Sequence, residues 1–377
     1  MAAEITPSAN IDSATGDARG APGGPNRVRS TDLYAGRVNR RMVTLVAALV
    51  PVVALLGLGT VVQVPFVALG PGPTFNTLGE VEGEQVVDIT GTELDPTSGN
   101  LNMTTVSVRD GLTVFDAFGF WLSGRYGIVP REEVYPSNRS RDEVQEENAA
   151  DFAQSEESAE LAALHYLGEP VALEVADVAE DGPSNNALRV GDRLVAVDGS
   201  PVRTVGDVQR AVADLAPGTV ADVVVVRDGA EQTVPVTLGA RPGHDDVGYL
   251  GITPVEKPDV PFTVEFNLAE VGGPSAGLMF ALAVVDKLSP GELNGGQFVA
   301  GTGTIDSDGK VGPIGGIPYK LTAAREAGAT TFLVPSNNCD EAKQQIPDGL
   351  RLVRVDDLTG AVDALDSLNR GEDAPAC

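Results

Sequence analysis

The sequence predicts an α+β multidomain protein with an N-terminal transmembrane helix, a small β domain with flanking helices, and a C-terminal α/β domain. Three observations support this prediction: an uncharged apolar run at 42–64, short apolar runs alternating with tight turns at 162–240, and an apolar helix after a glycine turn at Gly272-Gly273. The predicted parts are a leader (1–41), the membrane helix (42–64), a β-rich and acidic connector region (65–161), the β domain (162–240), the last domain (241–370) and a tail (371–377).

The run at 42–64 carries no charged residue and is long enough to cross a bilayer as a helix, even with Pro51 inside it. A cleaved signal peptide is the alternative, although its apolar region is usually shorter. The leader is rich in Ala, Gly, Pro and Ser, which predicts disorder. Its arginines cluster before the run and place the leader in the cytoplasm by the positive-inside rule, with the rest of the chain extracytoplasmic: Arg27, Arg29, Arg37, Arg40 and Arg41.

Charge and cysteine content narrow the classes of function. The 377 residues carry a formal net charge of −28, which argues against nucleic acid as a partner because phosphate contacts need clustered Lys and Arg. The two cysteines, Cys339 and Cys377, lie on the predicted outer side, where a disulfide and two free thiols are both open. Neither has a CxxC or His-rich setting, so we predict no metal site and no cofactor.

The connector region contains β-like runs at 85–90 and 101–108, an apolar segment at 114–121, and a polar stretch at 137–160. The many acids of that stretch, with alanines between them, predict a solvated helix. The sequence assigns this region no further role.

Residues 162–240 resemble a PDZ domain. The resemblance is carried by Leu188-Arg189-Val190-Gly191-Asp192-Arg193-Leu194, followed by a strand that ends at Asp198-Gly199. It implies that Tyr166, Leu167 and Gly168 form the carboxylate-binding loop, beside which a peptide adds as a strand. A β domain used only as a spacer is the alternative.

The pentapeptide Gly273-Pro274-Ser275-Ala276-Gly277 places a serine on a glycine turn that opens an apolar helix. The spacing would suit the nucleophile of an α/β-hydrolase, whose histidine follows the serine. Both histidines, His165 and His244, precede Ser275, which makes an esterase or lipase of that type improbable. From these residues alone, Ser275 is equally well read as a nucleophile or as a helix cap.

Lysine is the remaining candidate for a base, because a desolvated lysine can lose its proton near neutral pH and arginine cannot. Lys320 opens a small-residue helix that ends at Gly328, after the segment Val311-Gly312-Pro313-Ile314-Gly315-Gly316. Lys287 lies too far along the serine helix, and Lys310 lies in a polar turn. A solvated surface lysine is the ordinary alternative for Lys320.

Taken together, these motifs and Thr302-Gly303-Thr304-Ile305 resemble the proteolytic domain of Lon-type serine proteases over about 100 residues. With the membrane helix and the PDZ segment, the chain is similar to membrane-anchored, PDZ-containing, Lon-like bacterial proteases of an actinobacterial type. The resemblance implies that Ser275 is the nucleophile, Lys320 the general base and Thr302 the residue that orients the lysine amine. Gly273 and Pro274 support the serine, and backbone N–H groups beside it would bind the oxyanion.

The sequence departs from that family in two ways. Many Lon proteases carry an acid three residues before the serine, where this chain has Gly272; Glu270 is near but does not match. No Walker A motif occurs in the sequence, so neither nucleotide binding nor ATP-driven unfolding is predicted.

The predicted function is therefore an ATP-independent serine endopeptidase, anchored in the cytoplasmic membrane and cleaving polypeptides outside it with a Ser-Lys dyad and PDZ-assisted recognition. The alternative is a non-catalytic PDZ adaptor on a Lon-like scaffold. A homo-oligomeric ring is implied by the resemblance only.

Overall fold

A computed structural model describes residues 39–268 and 271–377. Most of the predicted leader (1–41) lies outside the described residues, as does Glu270. The chain divides into two compact units, Met1–Leu56 and Gly57–Cys377.

Nine α-helices are found in the described residues: α1 Arg40–Gly59, α2 Val114–Ser123, α3 Arg131–Val134, α4 Arg141–Leu167, α5 Val205–Ala213, α6 Gly277–Leu288, α7 Ile317–Ala327, α8 Cys339–Ala342 and α9 Leu358–Asn369. Two short 3₁₀ turns occur at Pro274–Ala276 and Ser336–Asn338.

The strands of this part of the chain are β1 Phe66–Asn76, β2 Glu80–Val81, β3 Glu84–Gln85, β4 Val87–Thr90, β5 Asn100–Arg109, β6 Gly127–Pro130, β7 Val171–Val178, β8 Arg193–Val197, β9 Ser200–Pro201, β10 Val220–Arg227, β11 Ala230–Thr237, β12 Gly239–Arg241, β13 His244–Tyr249, β14 Ile252–Pro258, β15 Thr263–Phe266, β16 Phe298–Gly301, β17 Thr304–Ile305, β18 Val311–Gly312, β19 Thr331–Pro335 and β20 Arg351–Val355.

Helix α1 is long and apolar enough to cross a membrane, which makes it a candidate span. It ends at Gly59, five residues before the predicted end at 64. Gly57 and Gly59 have low helix propensity, and the chain turns at Thr60, whose N–H donates to the Gly57 carbonyl. Val64 then donates its N–H to the Leu112 carbonyl, so Val64 belongs to the folded domain that follows α1.

The larger sheet has the strand order β20-β19-β16-β5-β1-β6. Strands β5, β16, β19 and β20 run parallel, whereas β1 is antiparallel to both β5 and β6. The predicted boundary at residue 161 is therefore not a boundary of this sheet. Two of its central strands, β1 and β5, come from the region predicted as a connector. Composition does not reveal this pairing, because strands distant in sequence pair through backbone hydrogen bonds.

Helices cover both faces of this sheet, because strand side chains alternate between the faces. Val299, Leu333 and Val353 belong to one core with α6 and α9. The intervening residues Phe332, Val334 and Leu352 belong to a second core with Ile317 and Leu321 of α7. Helix α6 is buried from Gly277 to Lys287, as its continuous apolar sequence predicts.

Helix α4 differs from the predicted solvated helix. It begins at a capping box formed by Ser140 and Glu143, and one face is buried in the core around α6. That face consists of residues at helical spacing: Phe152, Ser155, Ala159, Ala162 and Ala163. The acidic residues between them are exposed or half-buried. Because this face packs against α6, α4 forms part of the domain that carries Ser275.

The second sheet has the order β11-β10-β8-β7-β14, with β9 paired to β8. Its core includes Val208 and Val212 of α5, which the helical spacing of that segment predicts. Strand β14 lies at the edge of the sheet, and it carries Pro254, a residue that edge strands tolerate.

A disulfide joins Cys339 and Cys377, the two cysteines whose state the sequence leaves open. The tail also pairs at Ala376 with Val353 of β20. The C-terminal residues are thereby held on the α7 side of the larger sheet, where both cysteines pack against the second core.

Candidate active site

Ser275 lies in the 3₁₀ turn Pro274–Ala276, directly before the buried helix α6. Pro274 occupies the first turn, where its fixed φ favours a helical start. The Ser275 carbonyl accepts hydrogen bonds from the Gly303 N–H at 3.0 Å and from the Thr302 hydroxyl at 3.1 Å. The serine backbone is thus fixed against the end of β16.

The two glycines of the pentapeptide have different roles. Gly273 has a φ of +86°, a conformation that favours glycine, and a Cβ there would contact nothing within 4 Å. A Cβ at Gly277 would lie 2.8 Å from Ser155 Oγ and 2.8 Å from Ile305 Cγ2. Gly273 therefore permits the turn and leaves space beside Ser275, whereas Gly277 permits close packing of α4.

Lys320 reaches Ser275 from α7. Its Nζ lies 2.9 Å from Ser275 Oγ, 3.0 Å from Thr302 Oγ1 and 2.8 Å from the Thr104 carbonyl oxygen. The sequence predicts Ser275, Thr302 and Lys320 as a group, and the structure brings all three together.

Lys320 is only 3% exposed. Burial disfavours the ammonium form and lowers the pKa of Lys320 from 10.5 to about 7. None of its three contacts is a carboxylate, which would have favoured the charged form. The amine is therefore available in its neutral, basic form near neutral pH.

The hydrogen bonds around Lys320 decide where its lone pair points. A neutral amine has two N–H bonds and one lone pair. The Thr104 carbonyl can only accept, and the Thr302 hydroxyl donates to the Ser275 carbonyl and so accepts from Nζ. Both N–H bonds are then used, and the lone pair is left for the Ser275 hydroxyl proton.

Replacing Thr302 by valine should lower kcat by roughly tenfold and leave KM nearly unchanged, since a misplaced catalytic group can cost up to about 10²-fold. The valine keeps the volume but cannot accept the Lys320 hydrogen bond. Steady-state kinetics on a fluorogenic peptide measure the effect. Thr302→Ser should recover most of kcat; a serine variant as slow as the valine variant would mean that Thr302 acts through packing.

Helix α4 holds the serine turn from the side. The Gly273 N–H donates to the Asn148 carbonyl at 2.8 Å, and the Ser155 hydroxyl donates to the Pro274 carbonyl at 3.1 Å. A Cβ at Gly272 would lie 3.0 Å from Asn148 Cβ. An acidic side chain at position 272 would therefore fit tightly against α4, and Asn148 would have to move by a few tenths of an ångström to admit it.

The other basic candidates lie elsewhere. Lys287 is also buried, and burial lowers its pKa, but its Nζ donates to the Val87 carbonyl at 2.6 Å. His165 Nδ1 lies 2.7 Å from the Ser307 carbonyl, and its Nε2 lies 3.4 Å from Glu256 Oε2. Neither residue contacts Ser275.

The predicted carboxylate-binding loop is corrected by the structure. Tyr166 and Leu167 form the last turn of α4, and Gly168 is its C-cap. The N–H of Gly168 donates to His165 O and that of Glu169 donates to Leu164 O, so these amides complete the helix and are unavailable to a carboxylate. Both edges of the next strand, β7, are paired, with β8 and β14.

A cleft of about 1620 Å³ opens above Ser275 and Lys320. Carboxylates of Glu82, Glu84 and Glu156 line it, and Lys320 is its one basic lining residue within the described chain. Burial raises the pKa of Glu156 to about 7. In those same described ranges, no group of three or more His, Cys, Asp or Glu residues is placed to hold a metal.

Sequence reasoning missed three parts of the site: Thr104, Asn148 and Ser155. Thr104 and Asn148 act through main-chain oxygens, which carry no side-chain signature in a sequence. Ser155 could have been found, because it continues the helical spacing of Phe152 and Ala159 within the acidic stretch.

Comparison with known families identifies two domains. Residues 143–238 match the family described as PDZ domain. Residues 268–365 match the family described as Lon protease (S16) C-terminal proteolytic domain. Both predicted resemblances are thus confirmed, and together the matches support a serine peptidase that carries a PDZ domain.

Individual relatives match parts of the chain. A "Lon protease" of Campylobacter concisus is 32% identical over 164 residues, which are 43% of this chain and 19% of that protein. A "Probable periplasmic serine endoprotease DegP-like" of Pseudomonas fulva is 38% identical over 87 residues, 23% of this chain and 18% of that protein. The chain thus spans less than a fifth of the length of these two relatives.

Among solved structures, the PDZ domain of an SdrC-like protein from Listeria monocytogenes is similar to part of the chain. The match covers 22% of this chain and 86% of that one, with 19% identity and a TM-score of 0.21.

Proposed function

We propose that this protein is an ATP-independent serine endopeptidase, anchored in the cytoplasmic membrane by α1 and cleaving polypeptides on the extracytoplasmic side. The observation that carries the proposal is the 2.9 Å contact between Ser275 Oγ and the Nζ of a lysine that is buried without a carboxylate partner. A buried neutral amine beside a hydroxyl is the arrangement that a serine nucleophile needs.

In the proposed reaction, Ser275 Oγ attacks the scissile carbonyl carbon while its proton moves to Lys320 Nζ. Backbone N–H groups at the start of α6 hold the oxyanion. The ammonium then returns the proton to the leaving amine, and an acyl-enzyme remains on Ser275. Water attacks that ester with Lys320 again as the base, which releases the new carboxyl terminus and restores the serine.

The acidic lining of the cleft supports peptides as substrates, with basic or neutral side chains near the cleaved bond. The proposed membrane topology rests on the arginines before α1 and in its first turn, which favour a cytoplasmic N-terminus. The Cys339–Cys377 disulfide suits an oxidising compartment for the remaining domains. No Walker A motif occurs in these 377 residues, which supports cleavage without ATP.

Covalent labelling tests the proposed nucleophile and separates an enzyme from a non-catalytic PDZ adaptor. A peptidyl phosphonate should label the full-length protein at Ser275, located by peptide mass spectrometry, and Ser275→Ala should not be labelled. Ser289→Ala is a matched control that should label normally. A folded protein that hydrolyses no peptide and takes no label would favour the adaptor.

We propose that the PDZ groove lies between edge strand β14 and helix α5. The edge of β14 opposite β7 is unpaired within the described chain, and a peptide could add there as a strand. Tyr249-Leu250-Gly251 precedes β14 and repeats the tripeptide at 166–168. Gly251, with a φ of +72°, turns the chain into this strand.

This groove should bind a peptide with a free C-terminal carboxylate at least about tenfold more tightly than its amidated form, a difference of ~1.4 kcal/mol. Ile252→Asp should remove that preference, because its carboxylate would repel the ligand's. Fluorescence anisotropy measures binding, and Val190→Asp, an exposed site elsewhere in the PDZ domain, is the control. Equal affinity for both peptides would contradict this groove.

A further inference from the structure

Helix α2 exposes one apolar face to solvent. Its exposed large side chains are 42–69% accessible and follow helical spacing: Val114, Phe115, Phe118, Trp121 and Leu122. We call these five residues the α2 apolar face. Three of them are hydrophobic residues of the largest kinds, and such a contiguous patch is unusual for a surface that faces only water.

The exposure does not result from a loosely held helix. Thr113 and Asp116 form a capping box at its start, and Gly124 caps its end in the left-handed conformation. On the opposite side, the Phe120 ring lies 4.6 Å from the Tyr126 ring, and the Arg109 guanidinium lies 5.6 Å from the centre of the Phe120 ring. The helix is thus capped at both ends and contacts the domain through Phe120, on the side opposite the apolar face.

Helix α2 contacts Gly59, the final residue of α1, which belongs to the same compact unit as α2. Within the unit Gly57–Cys377, the Val64 N–H donates to the Leu112 carbonyl at 2.8 Å, and Gln63 pairs with Thr113. A Cβ on Gly59 would lie 2.7 Å from the Phe115 ring. Because the ring rests directly on the final residue of α1, the point where this helix leaves a membrane would also be the level of α2.

The chemistry of the patch selects the kind of partner. Trp121 and the phenylalanines are residue types that favour the boundary between lipid headgroups and acyl chains. Arg125, the nearest following cation, is paired with Glu326. The acidic chain would not be drawn to anionic lipid by charge, so contact with the bilayer would depend on apolar insertion.

We infer that the α2 apolar face inserts into the outer surface of the bilayer that α1 spans, and so determines which side of the catalytic domain faces the membrane. This inference rests on the proposed anchoring by α1. Binding of α2 to lipid should be insensitive to salt and should not need anionic headgroups, because all five residues of the α2 apolar face are uncharged.

Trp121 is the only tryptophan of the chain, which gives a direct test. Full-length protein is reconstituted into phosphatidylcholine vesicles and purified by flotation. Trp121 emission should shift to shorter wavelength than in the unfolded protein, resist acrylamide, and be quenched by lipids brominated near the headgroup end of the acyl chain. Phe118→Ser with Leu122→Ser should restore acrylamide quenching, whereas Ile346→Ser, at an exposed site outside α2, should not.

Three results would overturn the inference. Floated protein whose Trp121 is quenched freely by acrylamide would leave α1 as an anchor and reject insertion of α2. Emission that is protected from acrylamide but not quenched by brominated lipid would show that protein, such as a second copy of the chain, covers the face. Protein that fails to float would reject the anchor and the interfacial helix together, while Ser275 labelling would still report on the peptidase.

Discussion

Lys320→Arg is expected to lower kcat/KM for peptide hydrolysis by about 10³-fold, within the range that general-base catalysis contributes. The guanidinium carries the positive charge of the ammonium form and can donate hydrogen bonds, but it does not lose its proton at any pH the fold tolerates. In the structure the lysine amine has no carboxylate partner, and Thr104 and Thr302 accept its two N–H bonds. The lost function is therefore acceptance of the Ser275 proton.

Lys287→Arg is the matched control for this variant. Lys287 is also buried, also has a pKa lowered by burial, and donates to a backbone carbonyl, so its replacement tests the cost of a larger cation inside the same domain. Hydrolysis per folded molecule, with folding checked by thermal unfolding, should remain near normal. Hydrolysis retained by Lys320→Arg would remove Lys320 from the proposed mechanism; equal loss in both variants would point to packing.

The proposed catalytic group can be predicted from the sequence because each member lies in a short, distinctive segment. Ser275 follows a glycine turn at a helix start, and Lys320 is the lysine that opens a small-residue helix. The histidines can also be excluded as the base of an α/β-hydrolase triad from the sequence alone, because both precede Ser275. The distances themselves could not be predicted, since Ser275 lies in the turn before α6, Lys320 lies on α7, and these two helices pack on opposite faces of the sheet.

The support around the catalytic group was less accessible to sequence reasoning. The Thr104 carbonyl belongs to β5, and only long-range pairing with β16 places it near Lys320. Helix α4 looked solvated because acids separate the few residues of its buried face. The same helix packs closely against Gly272 and Gly277. A Cβ at position 272 would lie next to Asn148, and one at position 277 would lie next to Ser155.

The peptide-binding loop illustrates how one tripeptide can have two structural outcomes. Tyr-Leu-Gly at 166–168 ends a long helix, so its glycine caps that helix and its amides are used. Tyr-Leu-Gly at 249–251 joins two strands and leads into an edge. The sequence near each copy is compatible with a loop. The two copies differ in their backbone hydrogen bonds, which in the first copy complete helix α4.

The pH dependence of hydrolysis is the second large effect. Only the neutral amine can take the Ser275 proton, and burial lowers the pKa of Lys320 from 10.5 to about 7. Activity should therefore be present above about pH 7 and fall roughly tenfold per pH unit below it, about 10² over two units. A plot of kcat/KM against pH reports this pKa in the free enzyme. A lysine of ordinary pKa would instead leave activity still rising above pH 9.

Glu156 complicates this profile and provides its control. It lines the same cleft, and burial raises its pKa to about 7, so it titrates in the same range. Its protonation removes a negative charge from the cleft and should affect KM for basic peptides, whereas protonation of Lys320 removes the base and lowers kcat. Glu156→Gln should keep the acid limb of kcat with a neutral peptide. Disappearance of the limb in that variant would assign the titration to Glu156 and leave Lys320 neutral throughout the range.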